Sequence, residues 1–170
     1  GPVRSIGIDA WAVDFGLLRR DGSLVALPRS YRDPMTAGIL PELFRRVGSE
    51  RLFQRTGIQM MEINTLCQLF AMRQAGLAEL DEAAHLLLIP DLLAHWLGAE
   101  PVAERSNATT TQFLGVDGGW ASDILEACDI PSRLMPGVVD AGTVVGKIGA
   151  RVGEKAGAIG LPIVAVCSHD

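Results

Sequence analysis

Residues 161–170, LPIVAVCSHD, decide the fold class. Ile163, Val164, Ala165 and Val166 form a continuous apolar run of strand length, the pattern of a strand covered on both faces. The run ends in Ser168, His169 and Asp170, side chains able to bond a ligand or move a proton. Open α/β sheets gather their ligand chemistry where the carboxyl ends of the strands open into a crevice. A buried strand that stops in a polar cluster therefore predicts an α/β domain with chemistry at its end.

Working outward, residues 5–9 (SIGID) predict a second buried strand, and Val13, Phe15 and Leu17, spaced by two, a half-buried one. Asp21-Gly22 supplies a tight two-residue hairpin turn, after which Leu24, Val25 and Leu27 return as the partner strand. Leu43, Phe44, Val47, Leu52 and Phe53 fall at helical spacing, interrupted by Gly48 with Ser49 available as the next N-cap. Asn64 can cap a longer helix that buries Leu66, Leu69, Phe70 and Leu77 against a sheet and ends near Gly76. Residues 86–89 are a short apolar run, from which Pro90 opens a helix that Gly98 stops after Leu97. Asp117-Gly118-Gly119 marks a turn, and Trp120, Ile124 and Leu125 fit a helix ending near Cys128. Residues 131–161, rich in Gly and Val, show no clear period.

Composition limits the rest. A chain of 170 residues, 48% apolar and 21% charged, is one domain or a piece of one, long enough to build its own core. Three cysteines, Cys67, Cys128 and Cys167, are widely spaced and form no CxxC pair, the usage of reduced thiols in a cytoplasmic protein rather than of a disulfide framework or a zinc site. A net charge of −5 and the lack of any Lys/Arg run longer than two exclude a nucleic-acid footprint. No apolar stretch reaches the length of a bilayer span, and no secretory leader pattern is present, so no membrane partner is expected. Gly1-Pro2 reads as the scar of a removed expression tag.

Two polar groups are candidates for chemistry: Asp9, Trp11 and Asp14 after the first strand, and His169-Asp170 after the last. A carboxylate beside an imidazole can take a proton from a hydroxyl while its neighbour orients the substrate, if both groups face one cleft. The competing reading is turn chemistry for the acids and His169, and core packing for Trp11. His85 and His95 sit among apolar neighbours and receive no role, nor is any metal ligand assigned. The polar segment SNATTTQ, residues 106–112, is dense in short polar side chains that could bind a ligand or satisfy the backbone of an irregular turn, and the second reading is preferred. There is no GxxxxGK[ST], GxGxxG, GxSxG or HExxH motif, which removes support from the enzyme classes those motifs mark.

Seven segments, taken in order and spacing, carry a resemblance: IGIDAWAVDFGLL (6–18), YRD (31–33), TGIQ (56–59), NTLCQL (64–69), LLLIPDLLAHWL (86–97), SNATTTQ (106–112) and VAVCSHD (164–170). Together they resemble the FGGY carbohydrate kinases, and within that family the branch acting on L-rhamnulose. The resemblance implies part of an actin-like, ribonuclease H-like ATPase lobe: a mixed sheet with flanking helices and a sugar site in the cleft. It implies that residues 3–170 are a partial N-terminal kinase domain without the C-terminal nucleotide lobe. ATP and Mg2+ would serve the parent protein, with their main binding elements outside this chain, so the chain alone is expected to be inactive.

By the same resemblance Asp170 matches the catalytic base that takes the proton of the ketose C1 hydroxyl, and His169 a substrate contact beside it. Ala12 falls where the family contacts its sugar and where many members of that branch have glycine, which leaves L-fuculose or xylulose open as substrates. Trp11 and Asp14 are its neighbours. The alternative from another class is a non-catalytic sugar-binding lobe. An incomplete sheet would leave strand edges unpaired and favour self-association of the chain.

Overall fold

A computed structural model of the chain describes residues 2–169. It is a mixed α/β arrangement whose strands, among the described residues, pair two by two. β1 (Phe15–Leu18) has all four residues buried. The extended stretch before it, residues 5–9, forms no strand of its own and is exposed at Ser5, Gly7 and Asp9. The two exposures are thus the reverse of the sequence expectation. The reason is tertiary: β1 has neighbours on two sides, whereas residues 6–10 pair with the chain only at single parallel bridges, Ile6 to Ile163 and Ala10 to His169, among the described residues.

The turn after β1 spans three residues rather than two. Arg19 N donates to Ser23 O at 2.8 Å, Gly22 N donates to Arg19 O at 3.0 Å, and Gly22 takes φ +81°, a conformation that carries little cost only without a Cβ. The returning chain then makes one bridge, Leu24 to Leu18, and leaves Leu27 exposed.

Two helices follow, α1 (Leu40–Val47) and α2 (Ser49–Thr56), broken at Gly48 with φ +90° as the spacing predicts. Gly48 itself occupies the cap position, and Ser49 is already helical. Leu43, Val47 and Leu52 are buried; Phe53 stays 53% exposed. α3 (Thr65–Gln74) is buried from Thr65 through Met72, so it lies inside the core instead of presenting one stripe to a sheet. Leu66, Leu69, Phe70 and Met72 join Phe113, Ile124 and Leu125 in the main apolar cluster, where each buried side chain of that size is worth about 1.5–3 kcal/mol.

The short α4 (Glu79–Glu82) leads into β2 (His85–Leu88), which pairs antiparallel with β1 in the register Phe15 to Leu88 and Leu18 to His85. α5 (Ile89–Leu97) starts directly after it, with Pro90 in its first turn and Gly98 at its end. β3 (Val102–Glu104) and α6 (Arg105–Thr109) come next, then α7 (Ser122–Ala127), which begins two residues after Trp120. The aperiodic region holds β4 (Gly137–Val139), parallel to β3, followed by β5 (Val144–Lys147) and α8 (Ala150–Ala156).

β6 (Pro162–Val164) pairs antiparallel with β5. Only Ile163 of the apolar run is buried, with Val164, Ala165 and Val166 half-buried. Ile163, Ala165 and Leu161 pack on Val145, Ile148 and the end of α5. The strand is thus covered fully on one face, not on both. Among the described residues no helix is long and apolar enough to cross a membrane. Cys67 and Cys128 are buried and unpaired, and burial pushes both thiols up to about 12, so neither is a nucleophile at neutral pH.

Candidate functional site in the cleft between the first turn and the last strand

The end of β6 and the chain before β1 run side by side. Ala10 N donates to Ser168 O at 3.3 Å, and this pairing sets Trp11 and Ala12 next to His169. All three line one cleft of about 440 Å³. Two of the expected groups therefore meet. Asp170 lies outside the described residues, and Asp9 is exposed and does not line the cleft.

The first wall depends on a strained reversal. Asp14 N donates to Ala12 O at 2.8 Å, closing a three-residue γ-turn, and the central residue, Val13, takes φ +65°. A β-branched residue in that region is a genuine outlier, with a cost of order 1–3 kcal/mol that the surroundings must offset. They do so through the Val13 carbonyl, which accepts from Thr65 Oγ1 at 2.8 Å and Gln68 Nε2 at 3.1 Å, both on buried α3. Thr65 and Gln68 are themselves buried, so the turn is held from inside the core.

Asp14 stands behind this wall. One of its oxygens accepts from Trp11 Nε1 at 2.8 Å and the other from Tyr31 N at 2.7 Å. Burial raises its pKa, and the two hydrogen bonds pull in the opposite direction. Its part is to fix the Trp11 indole, which is 51% exposed. Asp14 is a neighbour of the cleft and not one of its lining residues.

The opposite side comes from parts of the chain where sequence reasoning placed no site residue. Ile58, Gln59, Met61 and Ile63 of the loop between α2 and α3 line the cleft, as do Thr109 and Thr110 at the end of α6, and Tyr31. Asn64 ties these pieces together: its Oδ1 accepts from Met61 N at 2.7 Å and its Nδ2 donates to Thr110 O at 3.0 Å. At the head of α3 it joins two loops instead of capping its own helix. The segment SNATTTQ satisfies its own backbone, as expected, and also contributes cleft wall. The available signal was the resemblance itself, because YRD, TGIQ, NTLCQL and SNATTTQ are among the segments that carry it.

A buried carboxylate lies beneath the end of β6. Glu104, 2% exposed, accepts at Oε1 from Ser106 N at 2.9 Å. At Oε2 it accepts from Asn107 N at 3.2 Å, Ser168 N at 3.3 Å, Ser168 Oγ at 3.1 Å and the Ser106 hydroxyl. Burial pushes its pKa up, but these donors outweigh burial and hold it below the usual range. Asp91, in the first turn of α5, faces the Glu104 backbone N–H at 3.4 Å and has no such set of donors, so burial pushes it up to about 7.

Among the described residues no three of His, Cys, Asp and Glu come together to hold a metal ion. Among the described residues the cleft lining carries no carboxylate that would hold Mg2+.

The fold matches that of the actin-like sugar kinases. The chain belongs to the FGGY family of carbohydrate kinases, whose N-terminal domain matches residues 2–170. It is 41% identical over 167 residues to the rhamnulokinase of Pectobacterium carotovorum subsp. carotovorum, covering 98% of this chain and 33% of that protein. The rhamnulokinase of Yersinia pestis is 39% identical over the same share of each chain. The chain thus spans about a third of the length of these relatives.

Solved structures agree on the fold. The xylulose kinase of Rhodospirillum rubrum superposes with a TM-score of 0.88 at 21% identity, over 98% of this chain and 35% of that one. The gluconate kinase of Lactobacillus acidophilus does so with a TM-score of 0.87 at 16% identity, over 99% and 34%.

Proposed function

We propose that residues 3–170 are the sugar-binding part of a kinase that transfers the γ-phosphate of ATP to the C1 hydroxyl of L-rhamnulose. The observation that carries this reading is the convergence of Trp11, Ala12 and His169 on one cleft, with Asp170 next in the chain. Phosphoryl transfer needs positioning and charge neutralisation more than covalent chemistry, so one base at a strand end is a sufficient local device. The C1 oxygen attacks the γ-phosphorus, its proton passes to the Asp170 carboxylate, and the bond to the β-phosphate oxygen breaks with its electron pair leaving on ADP. His169 and the Trp11–Ala12 turn orient the sugar, while Asp14 holds the indole in place.

The cleft lining supports a 6-deoxy ketose in particular. Ile58, Met61 and Ile63 give one apolar stretch suited to a methyl group, and Gln59, Asn64, Thr109 and Thr110 offer hydroxyl partners. The two rhamnulokinase relatives point the same way. Ala12 lines the cleft and favours a second reading, in which its methyl group shifts preference toward another ketose such as L-fuculose or xylulose.

ADP release by the full-length protein with L-rhamnulose, L-fuculose, xylulose and glycerol, beside Asp170→Asn, tests both. Fastest turnover with L-rhamnulose, lost in the variant, is the expected outcome. Preference for another sugar moves the specificity and points to Ala12. Silence with every sugar overturns the kinase reading in favour of a non-catalytic sugar-binding lobe.

A further inference from the structure

Glu104 is buried, ionised and shared between two elements. It is the N-cap of α6, accepting from Ser106 N and Asn107 N, and the same carboxylate accepts from both the backbone N–H and the hydroxyl of Ser168. Ser168 is 1% exposed and immediately precedes His169 in the cleft. α6 ends in Thr109 and Thr110, on the other side of the same cleft. One carboxylate thus fixes the distance between the cleft wall built by α6 and the end of the last strand.

A helix cap alone does not account for this arrangement. Capping uses two backbone donors, and Asp, Asn, Ser or Thr would provide it on a shorter side chain. The additional methylene of Glu104 is what reaches Ser168. The seat is also rigid: the Glu104 backbone N–H is directed at the buried Asp91 carboxyl, and β3 is paired with β4 in register Glu104 to Val139.

We propose that Glu104 is a positioning residue for the phosphoryl transfer, holding Ser168 and with it the adjoining cleft residue His169, and so the end of the last strand from which the base follows in sequence. It touches neither substrate nor reacting atoms and acts through Ser168. This inference rests on the kinase reading above. Small displacements of a catalytic group cost rate steeply, because the reacting atoms leave their near-attack geometry.

Two substitutions separate this role from capping. Glu104→Asp retains an acceptor for Ser106 N and Asn107 N but withdraws it from Ser168. Glu104→Gln keeps the length, and with its carbonyl in the Oε2 position it still accepts from Ser168 and Asn107 while losing the Ser106 N bond. The experiment measures steady-state kinetics of the full-length enzyme with L-rhamnulose and ATP, together with thermal unfolding of each variant.

Both variants are expected to unfold earlier than wild type, since each leaves buried donors without a partner. At matched fractions of folded protein, Glu104→Asp lowers kcat at least tenfold with KM for ATP within about twofold of wild type, whereas Glu104→Gln retains more kcat than Glu104→Asp. Ser168→Ala, which removes only the hydroxyl donor, lowers kcat about threefold and guards against a Glu104 variant that fails to fold. Wild-type kcat in both Glu104→Asp and Ser168→Ala overturns the proposal, as does a loss of kcat that follows the loss of folded protein across all three variants. A wild-type enzyme that turns over no sugar overturns instead the kinase reading on which the inference rests.

Discussion

The two walls of the cleft are held by opposite means. The Trp11–Val13 wall is a strained γ-turn pinned by two neutral donors, Thr65 Oγ1 and Gln68 Nε2, on one carbonyl. The Ser168–His169 wall is relaxed backbone pinned by an ionised carboxylate, Glu104. The first stores conformational energy and pins its turn carbonyl without charge, the Asp14 carboxylate serving only the Trp11 indole; the second stores none and depends on a buried charge with enough donors around it. Both devices sit in the core rather than at the cleft surface, which lets the cleft stay open while its backbone is fixed. The difference also says what should disturb each wall: loss of donors for the first, pH and charge for the second.

Removing the donors is the strongest way to break the neutral wall. Thr65→Val with Gln68→Leu leaves the Val13 carbonyl buried without a partner and should cost about 3 kcal/mol of stability, because each lost buried hydrogen bond leaves a desolvation penalty behind. Denaturant unfolding measures it, and KM for the sugar should rise as the turn relaxes. Thr65→Ser with Gln68 intact retains both donors and should return both quantities toward wild type; failure to do so would mean that the methyl packing of Thr65, not its hydroxyl, holds the turn.

The charged wall should be sensitive to pH through Asp91. Its pKa is about 7 in the folded protein, well above the ordinary carboxylate value, so between about pH 5 and pH 7 the folded state binds more protons than the unfolded one. Stability should therefore fall as pH rises through that window, then level off. Glu104, held below its usual range, acts in the opposite direction and mainly below pH 4.5, outside it. Asp91→Asn should flatten the profile and raise stability at pH 8 by about 2 kcal/mol. An unchanged slope in the variant would assign the pH dependence to other groups.

The smallest effect sharpens the idea of stored strain. At most positions glycine destabilises more than alanine, by roughly 0.5–1 kcal/mol. At Val13 both substitutions lose the two γ-methyl groups and glycine loses Cβ as well, but only glycine relieves the positive φ. Val13→Gly should therefore be less destabilising than Val13→Ala, by about 1 kcal/mol. The ordinary order, Ala above Gly, would mean that the turn carries no strain.

The surface ion pairs add little to this contrast. Arg51 with Asp123 and Arg19 with Glu82 are exposed at both ends, and such pairs contribute about 0–1 kcal/mol each.

What was readable in the sequence followed local chemistry. Gly48 breaks α1 from α2, Pro90 and Gly98 bracket α5, and Asp117-Gly118-Gly119 turns the chain, each because one residue's backbone preference decides the point. β4, β5 and α8 were not readable, since elements of three to seven residues in a Gly- and Val-rich stretch span too few positions to show a period. In the site, Trp11, Ala12 and His169 converge as their places at two strand ends suggested. Asp14 belongs one layer back because its carboxylate is taken up by Trp11 and Tyr31. Ile58 and Met61 had no local mark of function, and the polar density around Thr109 and Thr110 fitted a ligand site and a self-satisfied turn alike, because a side chain becomes a cleft wall only through what it faces.

By itself the sequence determined the α/β class, the break points of its helices and the polar end of the last strand, because these follow from residue type and short-range spacing. Only the tertiary structure decided which strand lies inside, that α3 is buried all round, and that Val13 is held in a strained turn by α3 while Glu104 reaches Ser168 across 64 residues of chain. Burial and hydrogen-bond partnership are properties of pairs distant in sequence, and their energies exist only once the chain has brought those pairs together.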